Sequence, residues 1–297
     1  MGRKEMGTRR PATPVADDLE YRFAPFAHEA MRVSQVDADV APPLAGAIAP
    51  TEVTQTVESN HLLELLRRQA PAEYALLTPH LELVTLERQD VIFHSGEAIA
   101  FVYFPERCVA SVVKILSDGR RIEVGTAGRE GMAGFPAFLD GSATLLECFV
   151  RIPGEAKRLP VHALHAAAAP GSIFRGILQR YGVYLFDQAA QTAACNRLHT
   201  LDERCARWLL MTHDRVRGDQ FELTHEFLSI LLGVRRAGVS QAADGLQRQG
   251  FIRYRRGKVV VVNRSGLEGA ACECYATDRA DFERLLSQSA RSSIVSG

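Results

Sequence analysis

The sequence has no net charge, few aromatic residues and no long apolar run. Its 297 residues contain 35 Lys and Arg against 35 Asp and Glu, and Phe, Trp and Tyr make up 7%. The longest apolar stretches, such as FLSILLGV, fall far short of the about 20 residues that a membrane helix needs. The opening residues, MGRKEMGTRRPATPVADD, precede no apolar block, so no secretory signal is predicted. We therefore expect a globular cytoplasmic protein with no membrane partner.

Cysteines are absent before Cys108, and only six occur in the chain. Without a predicted signal, reduced cytosolic thiols are favoured over three disulfides. Cys272 and Cys274 are separated by one residue, which is tighter than the usual C-x₂₋₄-C zinc pair. We interpret them as incidental thiols, with a redox pair as the alternative. Because His80 and His94 are isolated in sequence, no metal site is predicted.

Composition and periodicity divide the chain into four parts. Residues 1–55 form a proline-interrupted, flexible leader. Residues 56–168 start with two short helices, of which Asn60 or Ser59 caps the first, and continue as short apolar or alternating runs between turns. These runs predict an antiparallel β roll, with a hairpin at Asp118-Gly119. Residues 169–217 are helical, and residues 218–297 contain a further helical and basic segment with a short tail.

The helical segment predicts a subunit contact. Its apolar residues recur at helical intervals, and a helix this long exposes more apolar surface than one small roll covers. Core packing is the alternative, but we favour a homodimer joined through residues 171–200. The predicted stripe contains Ile173, Ile177, Tyr181, Tyr184, Leu185, Ala189, Thr192, Ala193 and Leu198.

The C-terminal segment predicts a helix-turn-helix followed by a β wing. Thr224 can cap a first helix, and Gly233 can end it in a left-handed conformation. A second helix is expected from about Arg236 to Arg248, with Val239, Ala242 or Ala243, and Leu246 on its inner face. Two strands then surround Gly257. This arrangement is typical of DNA-binding domains.

The charge of this segment supports the same interpretation. Residues 224–264 contain eight basic and two acidic residues, a net charge of +6 within a neutral chain. Clustered cations bind duplex DNA because they release condensed counterions. Arg236, Ser240 and Gln241 are predicted to face bases, since Arg suits guanine and Gln suits adenine. The other predicted DNA-binding residues, which contact phosphates or begin the first helix, are Thr224, Arg235, Arg253, Arg255, Arg256 and Lys258.

These features resemble the Crp/Fnr family of bacterial transcription regulators over roughly residues 57–265. The resemblance lies in GEAIAFVYFPERCVASVV, VGTAGREGMAGFPAFL, ACNRLHTLDERCARWLLM and LTHEFLSILLGVRRAGVSQAADGLQRQGFIRYRRGKVVVV. It implies an α+β fold: an N-terminal β-roll or jelly-roll sensor domain, a long dimerisation helix and a C-terminal winged helix-turn-helix. It also implies a homodimer that reads a two-fold operator, with RNA polymerase as a further partner.

The sensor domain departs from the cyclic-AMP-binding members of that family. Those members hold the ribose and phosphate with a Gly-Glu pair and an Arg-Ser or Arg-Thr pair, where this chain has Ala133-Gly134 and Thr144-Leu145. An anionic phosphate would then meet no cation, so neither cyclic AMP nor another cofactor is predicted. Arg129 and Glu130 are expected to stabilise a turn. Iron–sulfur members carry an N-terminal cysteine cluster, which this chain lacks.

The second helix also departs from the best-known family pattern. Arg236 matches it, but Ala237 occupies the position of a Glu that reads cytosine, and Gln241 that of an Arg. We therefore expect a different operator. Arg235 replaces the usual Ser cap, so this helix start is expected to lack a side-chain acceptor.

The leading hypothesis is a ligand-modulated transcription regulator and not an enzyme. A second hypothesis keeps the DNA-binding fold but treats the roll as a degenerate interaction domain that binds no ligand. A third is a cupin-like metal enzyme, which would need a His-x-His pair with a nearby Glu, whereas the chain offers only His80 and His94.

Overall fold

The computed structural model describes residues 60–139 and 143–287. The predicted leader, residues 1–55, and the end of the predicted tail, residues 288–297, lie outside the described residues. Within the described ranges, no helix has both the length and the apolar character needed to cross a bilayer.

Two short helices precede the roll, as predicted: α1 (His61–Gln69) and α2 (Pro71–Leu77). Asn60 caps α1, since its Oδ1 accepts hydrogen bonds from the backbone N–H groups of Leu62 and Leu63. Its amide nitrogen also donates to the carbonyl oxygens of Pro105 at 3.0 Å and Gly131 at 2.7 Å. The buried cap therefore fixes α1 on the roll as well as satisfying its first turn.

The predicted antiparallel roll is confirmed and consists of two sheets, ordered β1-β7-β3 and β2-β6-β4-β5. Asp118 and Gly119 form the turn between β4 and β5, where Gly119 has a φ of +83°. The two sheets enclose an apolar core to which both contribute. The elements are β1 (Glu82–Leu86), β2 (Val91–Phe93), β3 (Phe101–Pro105), β4 (Val109–Ile115), β5 (Arg121–Ala127), α3 (Pro136–Leu139), β6 (Leu146–Ile152) and β7 (Gly154–Pro160).

After α4 (Val161–Ala167), the predicted helical segment forms two helices, α5 (Ile173–Leu198) and α6 (Leu201–His213). The residues next to the break between α5 and α6 determine its position. Thr200 and Glu203 form a capping box, in which Glu203 Oε2 accepts from the Thr200 backbone N–H at 2.8 Å. A capping box starts a new helix, so α6 leaves α5 at His199.

Part of the apolar stripe predicted to join two subunits lies within the protein's own core, whereas Ala189, Ala193 and Leu198 of the same stripe are exposed. Ile177, Tyr181 and Tyr184 are 0%, 0% and 6% exposed, and the Tyr181 hydroxyl accepts a hydrogen bond from the Met132 backbone N–H at 3.1 Å. For these three residues the alternative interpretation, core packing, is correct, and a homodimer through residues 171–200 stays a prediction. A different face of α5 is exposed, with Phe186 74% accessible.

The C-terminal part is a winged helix-turn-helix, as predicted. Its sheet has the order β8-β10-β9. Its core also includes Trp208, Leu209 and Leu210 of α6, so α6 packs into the core of the winged domain. The elements are β8 (Gln220–Glu222), α7 (His225–Leu232), α8 (Arg236–Arg248), β9 (Ile252–Arg255), β10 (Lys258–Val261), α9 (Arg264–Ala270) and α10 (Cys274–Ser287).

Helix α10 occupies much of the segment that the sequence suggested was a short tail. It packs along α5, and Leu285 is 4% exposed. The Phe282 ring lies 5.7 Å from the His61 ring at the start of α1 and 5.7 Å from the Tyr184 ring on α5. The chain therefore returns from the winged domain to the roll.

Two buried sets of polar contacts connect the roll to α6 and the residues after it. Glu130 and Arg215 form one, with Oε1 and Nε 2.7 Å apart. In the other, Glu123 of β5 accepts from Arg151 of β6 at 3.2 Å and from the Trp208 indole N–H at 2.9 Å. Burial lowers the pKa of Arg151 to about 10, although the Glu123 carboxylate opposes the shift. Removing one partner of such a pair leaves an uncompensated buried charge, which costs about 3–5 kcal/mol.

Candidate nucleic-acid interface

Helix α7 begins and ends where the sequence predicts. The Thr224 hydroxyl accepts a hydrogen bond from the Phe227 backbone N–H at 3.1 Å and caps the helix. Gly233 ends it with a φ of +65° and a ψ of +37°. A Cβ at Gly233 would lie 3.0 Å from the side chain of Ile122 on the roll. Glycine suits this position for two reasons: it adopts the left-handed conformation without strain, and it has no Cβ to clash where the two domains approach closely.

Helix α8 has the predicted inner and outer faces. Val239, Ala242, Ala243 and Leu246 are buried against the rest of the winged domain, whereas Arg236 and Gln241 are exposed. Arg235 occupies the cap position and makes no capping hydrogen bond, as expected. The first turn of α8 therefore keeps backbone N–H groups without a side-chain acceptor, and such groups attract phosphate.

Ser240 is less accessible than predicted for a residue that contacts a base. Its hydroxyl lies 2.9 Å from Nδ1 of His225, at the contact between α7 and α8. The His225 ring also stacks on Tyr254 of the wing with 4.2 Å between centroids, and the Tyr254 hydroxyl donates to the Leu223 carbonyl oxygen at 2.6 Å. Ser240 thus belongs to a polar cluster that fixes α7, α8 and the wing relative to one another.

Desolvation and charge shift two pKa values in this cluster. Burial lowers the pKa of His225, and the nearby Arg236 guanidinium lowers it further, while Asp244 opposes the change. Burial raises the pKa of Tyr254. Both rings are therefore neutral near pH 7, and His225 gives the interface no positive charge.

The wing is a tight hairpin with cations at its tip. Arg256 and Gly257 form a two-residue turn with φ values of +50° and +75°, and Arg255 pairs with Lys258 across it. Two positive φ values are typical of a type I′ turn, the turn that suits the twist of a hairpin. Arg253, Arg255, Arg256 and Lys258 are all exposed.

The exposed cations of α8 and the wing have no acidic partners. None of them forms an ion pair with another residue of the ranges 60–139 and 143–287. We call the six of them that lie at the start of α8 and on the wing the basic surface: Arg235, Arg236, Arg253, Arg255, Arg256 and Lys258. Arg248, which is also exposed, lies at the other end of α8 and is not part of this set. Arg264, which the sequence count included in the positive charge, differs because it pairs with Asp214 at 2.6 Å and with Glu268 at 3.0 Å. Arg264 therefore holds α9 against the end of α6.

The positions aligned with the cyclic-AMP contacts carry no charged side chain. Ala133 is buried and exchanges backbone hydrogen bonds with Tyr103 at 2.8 and 3.0 Å. Gly134 has a φ of +91°, and a Cβ there would meet the Phe101 carbonyl oxygen at 3.3 Å. Leu145 is 68% exposed. One cation does contact this segment, since Lys114 Nζ donates to the Leu145 carbonyl oxygen at 3.2 Å.

The turn role expected for Glu130 is confirmed. Its Oε1 accepts from the Gly128 backbone N–H at 3.1 Å and from Arg215 at 2.7 Å. A cavity of about 500 Å³ lies beside this turn, between α6 and α10. Charged side chains of both signs line it, among them Arg215, Arg279 and Asp278. The cavity lies outside the roll's interior.

One cluster of metal-ligating side chains was not predicted from the sequence. Cys195 and His199 at the end of α5 meet Cys272 and Cys274 at the start of α10. It is the only group of this kind found among residues 60–139 and 143–287, and it lies outside the roll. His80 and His94 are both exposed. The Cys195-x₃-His199 spacing, four residues apart on one helix, is the sequence signal that could have indicated it.

A β roll, a long helix and a winged helix-turn-helix with a basic surface together define a class of DNA-binding transcription regulators. Residues 203–270 match the family model of the Crp-like helix-turn-helix domain. No curated sequence relative matches the chain.

Solved structures give the same result for the fold. FixK2 from Bradyrhizobium japonicum aligns with a TM-score of 0.56 and 21% identity, over 65% of this chain and 98% of that one. A CRP family regulator from Thermus thermophilus, TTHB099, aligns with a TM-score of 0.54 and 22% identity, over 64% and 99%. A putative Crp/Fnr regulator from Eubacterium rectale gives 0.56 and 14%, over 69% and 96%. The predicted resemblance to Crp/Fnr transcription regulators and the predicted fold class are confirmed.

Proposed function

We propose that the protein is a homodimeric, sequence-specific transcription regulator that binds operator DNA through α8 and the wing. The observation that carries this proposal is the basic surface: six exposed cations without acidic partners on a Crp-like helix-turn-helix. A cation already paired within the protein would gain little binding free energy from a phosphate contact, whereas an unpaired cation releases counterions from the DNA when it binds. The proposal requires no enzymatic activity and no cofactor, and it implies a cytoplasmic location.

Within this proposal the exposed residues of α8 read bases and the wing holds the backbone. Arg236 and Gln241 lie in the first half of α8 and face outward. Arg235, Thr224 and the wing residues fix the register by phosphate contacts. Ser240, with its hydroxyl engaged by His225, contributes to the orientation of α8 more than to base contact.

The dimer contact that we propose uses the exposed face of α5. Val183, Phe186, Ala190, Ala193 and Arg197 are exposed and follow one another at alternating steps of three and four residues. This spacing is that of a coiled-coil seam, and small alanines let two helices approach closely. A two-fold dimer would present its two α8 helices to half-sites about 34 Å apart on one side of the duplex. RNA polymerase is a further proposed partner.

A second candidate keeps this activity but assigns no ligand to the roll. It is supported by Ala133, Gly134, Thr144 and Leu145, none of which offers a cation to a cyclic nucleotide phosphate. DNA binding in cell extract and in dialysed buffer would then be equal. A metabolite that changed the affinity at least tenfold would instead support a ligand-modulated regulator.

Selection of bound duplexes from random sequence, followed by two variants, tests DNA binding. Arg236→Ala should cost about 1–3 kcal/mol at one operator position and leave the others unchanged. Arg255→Ala, the matched loss of one exposed arginine, should weaken binding on every sequence and reduce the salt dependence. If the protein selects no sequence and ignores duplex DNA at low salt, the proposal is wrong. Equal losses from both variants on all sequences would remove the role of Arg236 alone.

A further inference from the structure

Four potential metal ligands converge where the long helix α5 ends. Cys195 lies in the last turn of α5, and His199 is the residue that ends the helix. Cys272 lies in the connection between α9 and α10, and Cys274 is the first residue of α10. One ligand atom from each lies within 4.8 Å of all the others. The Sγ atoms of Cys195 and Cys272 are 3.5 Å apart, although 77 positions separate these residues in the chain.

The distances fit one tetrahedral ion. Zinc binds thiolate sulfur at about 2.3 Å and imidazole nitrogen at about 2.0–2.1 Å, so ligand atoms around it lie about 3.5–3.8 Å apart. The Cys195 Sγ to Cys272 Sγ distance and the Cys274 Sγ to His199 Nδ1 distance are both 3.5 Å. The other pairs of ligand atoms lie within 4.8 Å of one another, so side-chain rotations would bring the four atoms to zinc-bonding distance.

The surroundings orient these ligands as metal sites require. His199 directs Nδ1 towards Cys274, while its Nε2 lies 3.2 Å from Oε1 of Glu273. A carboxylate on the second ring nitrogen fixes the tautomer and the orientation of a metal-bound histidine. Gln191 on α5 donates to Cys274 Sγ at 2.9 Å, and such a donor stabilises a thiolate.

Burial and charge favour a closed site. Cys195, Cys272 and Cys274 are 1%, 5% and 0% exposed, and the His199 side chain is 16% exposed. Three thiolates and one Zn²⁺ carry a net charge of −1. Arg204 and Arg207 lie close enough to Cys195 to interact with it electrostatically and offset that charge. Four protein ligands leave no position for a substrate, as in structural zinc sites.

We propose that Cys195, His199, Cys272 and Cys274 bind one Zn²⁺ ion in a closed, four-coordinate structural site. The ion would join the end of α5 to the start of α10, beside the Thr200 capping box from which α6 and the winged domain begin. Binding releases the thiol protons to solvent, and no oxidation or reduction takes place. The zinc site thereby fixes the position from which the DNA-binding domain leaves the long helix.

Metal analysis of the full chain, purified under reducing conditions with zinc supplied, tests the proposal. We expect one zinc per chain, and Co²⁺ reconstitution should give the visible and near-ultraviolet bands of a tetrahedral thiolate site. His199→Ala and Cys274→Ser should lose zinc on dialysis against a chelator. Cys205→Ala, which removes a buried thiol outside the cluster, should retain it. Glu273→Gln should weaken zinc binding about 10–100-fold, because it removes the carboxylate that faces His199 Nε2 and leaves the four ligands in place.

Three results would overturn the proposal. The first is wild-type protein that binds neither Zn²⁺ nor Co²⁺ above background in reducing buffer. The second is an intact Cys195–Cys272 disulfide in protein freshly isolated from cells, and the third is iron with acid-labile sulfide in place of zinc. His199→Ala removes a partly exposed ring at a helix end, so it should fold even where a cysteine variant does not. The wild-type Co²⁺ spectrum gives a decision that needs no variant.

Discussion

One substitution in the turn at the tip of the wing should raise the stability of the folded protein and lower its affinity for DNA. Arg256 has a φ of +50°, a left-handed conformation that costs an ordinary L-residue about 1–2 kcal/mol and that Asn adopts more readily. Asn followed by Gly is the preferred pair for this two-residue hairpin. Arg256→Asn should therefore raise the free energy of unfolding by about 0.5–1 kcal/mol. For a domain of this size the midpoint temperature should rise by about 1–4 °C.

The same substitution removes one cation from the basic surface. Each lost phosphate contact lowers the slope of log affinity against log salt by about 0.9. Arg256→Asn should thus weaken binding to every duplex and lower that slope by about 0.9 for each bound chain. Because Asn carries no charge and lies at the wing tip, no base preference should change.

Urea unfolding and fluorescence anisotropy at several salt concentrations measure both effects. Arg253→Gln is the matched control, because Arg253 is also exposed on the wing but lies in strand β9. It should give the same loss of salt dependence without the gain in stability. A lower unfolding free energy for Arg256→Asn would contradict the argument about the turn. An unchanged salt slope in both variants would contradict the contact of the wing with phosphate.

Three further predictions concern the dimer, the first helix of the winged domain and pH. Phe186→Glu should change the unfolding free energy of a single chain by less than about 0.5 kcal/mol, but sedimentation should show monomers instead of dimers. Leu76→Glu is the control: Leu76 is equally exposed, at 74%, and this variant should remain dimeric. Thr224→Ala should destabilise the protein by about 1 kcal/mol through the lost cap, whereas Thr224→Ser should not, as measured by urea unfolding. The lowered pKa of His225 means that the unfolded chain binds its proton more readily, so stability should fall as pH decreases through the ordinary value of 6.5. His225→Asn should flatten that part of the stability profile, and an identical profile would show that His225 does not titrate there.

Local signals in the sequence predicted the elements that local hydrogen bonds determine. Thr224, Gly233 and Gly257 lie where their conformational preferences indicate, and so does the Asp118-Gly119 hairpin. Each of these caps and turns depends on contacts within a few residues, so a short stretch of sequence is enough to predict it.

Contacts between distant residues were the ones that the sequence did not reveal. Periodicity predicted that α5 has apolar stripes, but α5 is apolar on two faces, and only the packing of α10 and the roll determines which one is covered. His225 and Tyr254 stack although 29 positions separate them, and Cys195 meets Cys272 only because α10 returns to α5. No spacing rule links such pairs before the topology is known.

The return of α10 limits how the winged domain can move. A domain attached by one linker can rotate freely about it, but here the chain enters at the α5–α6 break and leaves along α5 itself. Any swing of α8 must either carry α10 with it or peel Phe282 and Leu285 away from the roll. A signal that loosened α10 would therefore reach the DNA-binding surface even if it never changed the roll.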